Sequence, residues 1–107
     1  MSKLAVSELG KLIVPNILTV PYVAGDGVGP EIMPAMQKVV DASVCKAYGG
    51  ERRIEWLECL AGQTAYEKTG SYLPDATMEA FKYYHLGIKG PLSTPVGGGI
   101  RSLNVLL

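Results

Sequence analysis

Residues 17–24, ILTVPYVA, are almost wholly apolar and rich in β-branched side chains, the pattern of a buried strand. Pro21 inside this run points to an edge strand or a bulge, because proline donates no ladder hydrogen bond. Gly25-Asp26-Gly27-Val28-Gly29 then predicts a tight turn, and Pro30-Glu31 suits the first turn of a helix. Ile32, Met36, Val39, Val40, Ser43, Val44 and Ala47 follow at helical spacing, with Gln37, Lys38, Asp41 and Lys46 elsewhere. The helix they predict stops at Gly49-Gly50, and Pro34 lies close enough to its start to cost at most one hydrogen bond.

Residues 53–60 alternate at their start, Ile54 and Trp56 against Arg53 and Glu55, and predict a second strand. Residues 61–73 read as a loop with a short helical turn around Tyr66. Pro74-Asp75 opens a second helix whose apolar face is Met78, Phe81 and Tyr84. Leu86-Gly87-Ile88 is a short third strand, ended by Lys89-Gly90-Pro91, and residues 1–16 are a weakly patterned lead-in broken at Pro15-Asn16. The order strand, helix, strand, helix, strand predicts a layered α/β fold with parallel pairing. Three strands wound in this way leave apolar faces uncovered, and the few residues from Ser102 onward cannot form a stable helix by themselves. The expectation is a partial, incomplete layered α/β domain.

Composition narrows the class. A chain of 107 residues has room for one domain. Its 48% hydrophobic and 19% charged residues fit a globular chain rather than a disordered one. Ten Lys+Arg balance ten Asp+Glu, which excludes the basic footprint of a nucleic-acid partner. No apolar run approaches the ~20 residues that span a bilayer, and the N-terminal stretch lacks a signal peptide's layout. The expectation is a cytoplasmic protein with no membrane partner, in which Cys45 and Cys59 are reduced, buried thiols. Thirteen glycines exceed the usual share of about 7%, and their positions carry the candidate chemistry.

The first glycine cluster, residues 25–29, lies between a strand and a helix, where backbone N–H groups can hold a phosphate. Its spacing departs from G-x-G-x-x-G, and Asp26 puts negative charge where a pyrophosphate would lie; a structural turn is the better reading. Lys68-Thr69 after Gly62 is no Walker loop, because Glu67 stands where that loop needs glycine. His85 is the single histidine, so no histidine metal cluster can form, and it is expected at a strand end without a special role.

The second cluster is more informative. Lys89 falls at the C-terminal end of a strand, the edge where open parallel sheets bind ligands. Ser93 and Thr94 follow in a loop bounded by Pro91 and Pro95; Gly97, Gly98 and Gly99 then lead to Arg101-Ser102 at a helix start, with Asn104 just beyond. Free N–H groups, hydroxyls, an amide and nearby positive charge suit a di- or tricarboxylate. The alternative is that Ser102 only caps a helix and the glycines only turn the chain.

GDGVGPE (residues 25–31), KAYGGERRIEW (46–56) and KGPLSTPVGGGIRSLNV (89–105) together resemble the bacterial NADP-dependent isocitrate dehydrogenases, within the wider family of β-decarboxylating dehydrogenases. The similarity runs from about Pro15 to Val105. Isopropylmalate dehydrogenases share the GDGxGPE turn, but their substrate helix typically carries a Glu and leucines where Ser102-x-Asn104 stands here. The resemblance implies a homodimer of the tricarboxylic acid cycle that oxidises isocitrate with NADP and Mg²⁺ or Mn²⁺ and decarboxylates it to 2-oxoglutarate. By position, Ser102 and Asn104 would bind the substrate carboxylates and Ser93 the NADP, with Lys89 assisting electrostatically. In some relatives the serine matching Ser102 is phosphorylated, a control linked to the glyoxylate bypass. The family's catalytic tyrosine and lysine, its metal-binding aspartates and its main NADP loop match nothing in residues 1–107. The chain is therefore expected to be the N-terminal part of a large domain (1–16 a lead-in), with no catalytic or metal-binding residue of its own and inactive alone. A non-catalytic carboxylate-binding or interaction module of the same fold is the alternative, and an isopropylmalate dehydrogenase relative a second one.

Overall fold

The computed structural model describes residues 3–93. Two short antiparallel strands come first, β1 (Ala5–Val6) and β2 (Leu12–Ile13), with Ala5 opposite Ile13 and Val6 opposite Leu12. The lead-in is thus a hairpin, which the weak patterning of residues 1–16 did not predict. Its loop is held by polar chemistry: the Ser7 amide donates to the Lys11 carbonyl at 2.8 Å, and the Lys11 amide donates to Ser7 Oγ at 3.1 Å. Gly10 completes the turn at φ 79°. Lys3 Nζ lies 4.3 Å from the centre of the Tyr83 ring.

Among the described residues the main sheet has three parallel strands, β3 (Ile17–Val23), β4 (Arg53–Cys59) and β5 (Ile88–Lys89), in the order β4-β3-β5. Between them lie three helices, α1 (Gly29–Tyr48), α2 (Gln63–Thr69) and α3 (Asp75–Tyr84). The predicted alternation of strands and helices is therefore present, and the turn around Tyr66 is a helix in its own right. The third strand, expected at residues 86–88, is Ile88–Lys89 and so includes Lys89.

β3 is the central strand, not the edge that Pro21 suggested. The Gly90 amide donates to the Val23 carbonyl at 2.7 Å, so residue 23, and by alternation residue 21, turn their peptide groups toward β5. β5 pairs only with Tyr22 and Val23, and the missing N–H of Pro21 falls on a flank with no partner strand there. Its ring is then free to be buried, and Pro21 and Val23 are the largest fully buried side chains.

The two longer helices cover opposite faces. Trp56 on β4 donates its indole N–H to Asp41 Oδ1 of α1 at 3.0 Å, and its ring meets Tyr22 edge-on at 6.2 Å between centroids. Leu57 and Cys59, on the other face by strand alternation, line a cavity of about 370 Å³ with Ala76, Thr77 and Ala80 of α3. As predicted, Met78, Phe81 and Tyr84 lie on the half-buried side of α3, and Phe81 fills the space beside Gly87 where a Cβ would collide.

α1 begins and ends where Pro30, Glu31 and Gly49 predicted, Gly49 closing it in the left-handed conformation at φ 62°. Its buried face is rotated from the expected one. Met33 is buried and Met36, Gln37, Val40 and Val44 are half-buried, whereas Ile32 and Val39 are 51% and 67% exposed. The apolar surface of this helix is wider than one sheet contact, so periodicity found the helix but not the flank that meets the sheet. The cysteines also depart from expectation: both are free, but Cys45 is exposed on α1 and Cys59 half-buried. His85 caps α3 in the left-handed region at φ 65° and does not belong to a strand. Among the described residues no helix is long and apolar enough to cross a membrane.

Thr77 is 2% exposed and donates its hydroxyl to the Leu60 carbonyl at 2.6 Å, tying α3 to the end of β4. Thr77→Val keeps the shape but leaves that carbonyl unpaired, and a loss of about 1–3 kcal/mol in urea-unfolding free energy is expected. An unchanged midpoint would show that the bond contributes nothing.

Candidate functional site

In the order β4-β3-β5 the chain leaves β3 toward one side of the sheet and later returns to its other side. The C-terminal ends of β3 and β5 thus flank a topological switch point, the place where open α/β sheets bind ligands. Here the two loops leaving these ends are bound to each other. The Asp26 amide donates to the Pro91 carbonyl at 2.7 Å, and the Gly29 amide donates to the Asp26 carbonyl at 3.0 Å. Gly25, at φ 82°, and Gly90 allow the close approach: a Cβ on the first would collide with the Pro91 carbonyl, and on the second with the Ala24 carbonyl.

The Asp26 side chain extends this contact to a third loop. Its Oδ2 accepts the Ser93 amide at 2.7 Å and the Gln63 amide at 3.0 Å. Its Oδ1 accepts both the amide and the hydroxyl of Thr64 at 3.1 Å. Gln63 and Thr64 open α2, whose preceding residue, Gly62, has no side chain to cap it. A carboxylate 37 positions earlier in the chain supplies that cap and the negative charge that suits a helix start. Gly62 is itself shaped for this, since a Cβ there would strike the Asp26 carboxylate. Asp26 is 8% exposed. Burial acts to raise its pKa, but the amides of Ser93, Thr64 and Gln63 and the Thr64 hydroxyl outweigh it and hold the carboxyl below its ordinary 3.8.

This arrangement favours the reading of the first glycine cluster as a structural turn: Asp26 donates to Pro91, Gly29 donates to Asp26, Glu31 and Ile32 donate to the Val28 carbonyl, and Pro30 has no N–H. The second cluster is described only in part. Lys89 is exposed at the end of β5, opposite Val23, and the exposed Ser93 lies in the same strand-end loop, its amide engaged by Asp26. Ser102 and Asn104 lie outside the described residues. In the sequence Asp26 stands out only as a charge unfavourable to phosphate, and its role as an anchor is not visible at that position. The available signal was Gly62-Gln63-Thr64, a helix start without a cap of its own.

An open parallel sheet with helices on both faces and a polar loop cluster at its switch point defines a doubly wound α/β protein. More narrowly, the sequence profile of the isocitrate/isopropylmalate dehydrogenases matches residues 19–107, and the chain belongs to that family. It is 59% identical over 105 residues to an NADP isocitrate dehydrogenase of Caldococcus noboribetus, and 58% identical over 96 residues to one of Staphylococcus epidermidis. These matches cover 98% and 90% of this chain, but the chain spans only 24% and 23% of those relatives. The crystal structure of an isocitrate dehydrogenase from Methylococcus capsulatus matches with a TM-score of 0.71 and 41% identity, over 82% of this chain and 24% of that one.

Asp26→Asn puts an NH₂ group against amide donors, and a loss of about 2–4 kcal/mol in unfolding free energy is expected at neutral pH. The depressed pKa means that the folded state releases the proton more readily than the unfolded one. The carboxylate's contribution is therefore complete above the unfolded-state pKa and disappears as the pH falls through the lower, folded-state value. The gap between wild type and variant should narrow on acidification over that range; a gap independent of pH would contradict the assignment. Backbone packing gives a separate test. Gly25→Ala should cost several times more than Gly10→Ala, which has a similar φ but open space and should lose only about 1–2 kcal/mol. Equal losses in parallel melts would show that contact with Pro91 is unimportant.

Proposed function

We propose that the protein carrying this chain oxidises isocitrate with NADP and decarboxylates the product to 2-oxoglutarate. The observation that carries this reading is the identity of 58–59% to NADP isocitrate dehydrogenases over 90–98% of the chain. In this reaction a hydride passes from the carbinol carbon to the nicotinamide and the hydroxyl proton is lost. The resulting ketone lies β to a carboxylate, which leaves as CO₂.

On this reading, residues 1–107 form the N-terminal part of the large domain, and the anion-binding residues follow β5. The Ser102 hydroxyl and the Asn104 amide donate to substrate carboxylates, the Ser93 hydroxyl contacts NADP, and Lys89 adds positive charge at the same edge. The positions of Lys89 and Ser93 at the switch-point edge support this arrangement. The protein works as a cytoplasmic homodimer with Mg²⁺ or Mn²⁺. The described residues do not fit that metal, since no three His, Cys, Asp or Glu side chains among them converge, and no step is assigned to them through it. Phosphorylation of Ser102 would inhibit by filling the place of a substrate carboxylate and repelling the rest of the anion.

Ser102→Asp in the whole enzyme imitates that charge. A like charge against the substrate costs several kcal/mol, so isocitrate turnover should fall by about a hundredfold or more. Full activity in the variant would overturn the placement of the substrate, and wild-type turnover of 3-isopropylmalate in place of isocitrate would overturn the reaction.

A further inference from the structure

We infer that Asp26 is a positioning residue for the cofactor, acting through Ser93. The inference rests on the reading above, in which the Ser93 hydroxyl contacts NADP, and it adds what holds that hydroxyl in place. Ser93 itself is exposed, in a loop that leaves a strand of only two residues. Among the described residues, little packing fixes it. What fixes it is the 2.7 Å hydrogen bond from its amide to Asp26 Oδ2, a charge-assisted bond and the shortest that this carboxylate makes.

The carboxylate cannot drift with the loop. Three further bonds from Gln63 and Thr64 hold it to the start of α2, and the Gly62 backbone stands against it. Two residues earlier the loop is bound again, through the Pro91 carbonyl to the Asp26 amide. Asp26 thus grips residues 91–93 at two points, by main chain and by side chain, and ties them to the start of α2. A cofactor group meeting the Ser93 hydroxyl meets a donor whose backbone is already ordered, and binding does not have to order it.

A merely structural role and a positioning role both predict lower stability in Asp26→Asn, so stability cannot separate them. A double-mutant cycle on the whole enzyme can. Asp26→Asn should raise KM for NADP by about tenfold, the size expected for one lost hydrogen bond of roughly 1.4 kcal/mol. Ser93→Ala, which removes the hydroxyl but keeps the amide, should raise it by a similar factor. With Ser93→Ala already present, Asp26→Asn should raise KM for NADP by less than about twofold, because the group it positions is gone. Thr77→Val removes a buried bond from α3 to the Leu60 carbonyl and leaves every bond to Asp26 in place, and should lower the melting temperature without changing KM for NADP. Independent, multiplying effects of Asp26→Asn and Ser93→Ala would overturn the inference, as would an Asp26→Asn enzyme with lower Tm and unchanged KM. A wild-type enzyme without NADP-linked isocitrate turnover would instead overturn the functional reading, and this inference with it.

Discussion

One buried carboxylate organises the switch-point edge of this α/β sheet. The loops after β3, β4 and β5 meet at Asp26: its own backbone belongs to the first, its side chain caps the helix entered from the second, and it binds Pro91 and Ser93 of the third. A charge out of water is costly unless its lone pairs are filled, and here four donors fill them. That sensitivity makes the contact specific, because any slip of one loop against the others leaves part of a carboxylate unpaired.

The glycines around it follow from the same constraint. Gly25, Gly62 and Gly90 each stand where a Cβ would strike a carbonyl or the carboxylate itself. Three chain segments can converge on one side chain only if their backbones come closer than side chains allow. Other glycines have a different origin: Gly10, Gly49 and Gly70 turn the chain in open space, and their value is conformational.

Much of the architecture was legible because it is written in periodicity and punctuation. The apolar run before Gly25, the stripe from Ile32 to Ala47 and the alternation at Ile54 and Trp56 marked the first strand, first helix and second strand. The hairpin at Ala5 and Leu12 was not, because two-residue strands have no period to detect and Ser7 and Gly10 act through local hydrogen bonds. The position of Pro21 at the sheet centre depends on the brevity of a strand more than sixty residues away, which local pattern cannot supply. The buried flank of α1 was ambiguous for a similar reason, since Ile32 and Met33 are equally apolar and only the sheet chooses between them. The places of Lys89 at a strand end and of Ser93 in the loop beyond it were legible from the pattern of Ile88 and the prolines. Asp26 was not, because its partners lie 37, 38 and 67 positions away.

The central claim is that Asp26 ties the loops into one unit, and amide hydrogen exchange tests it most directly. Slow exchange at Gln63, Thr64 and Ser93, all accelerated together in Asp26→Asn, is the result this account predicts. Fast exchange at Ser93 in the wild-type protein, or protection there that persists in Asp26→Asn, would contradict it.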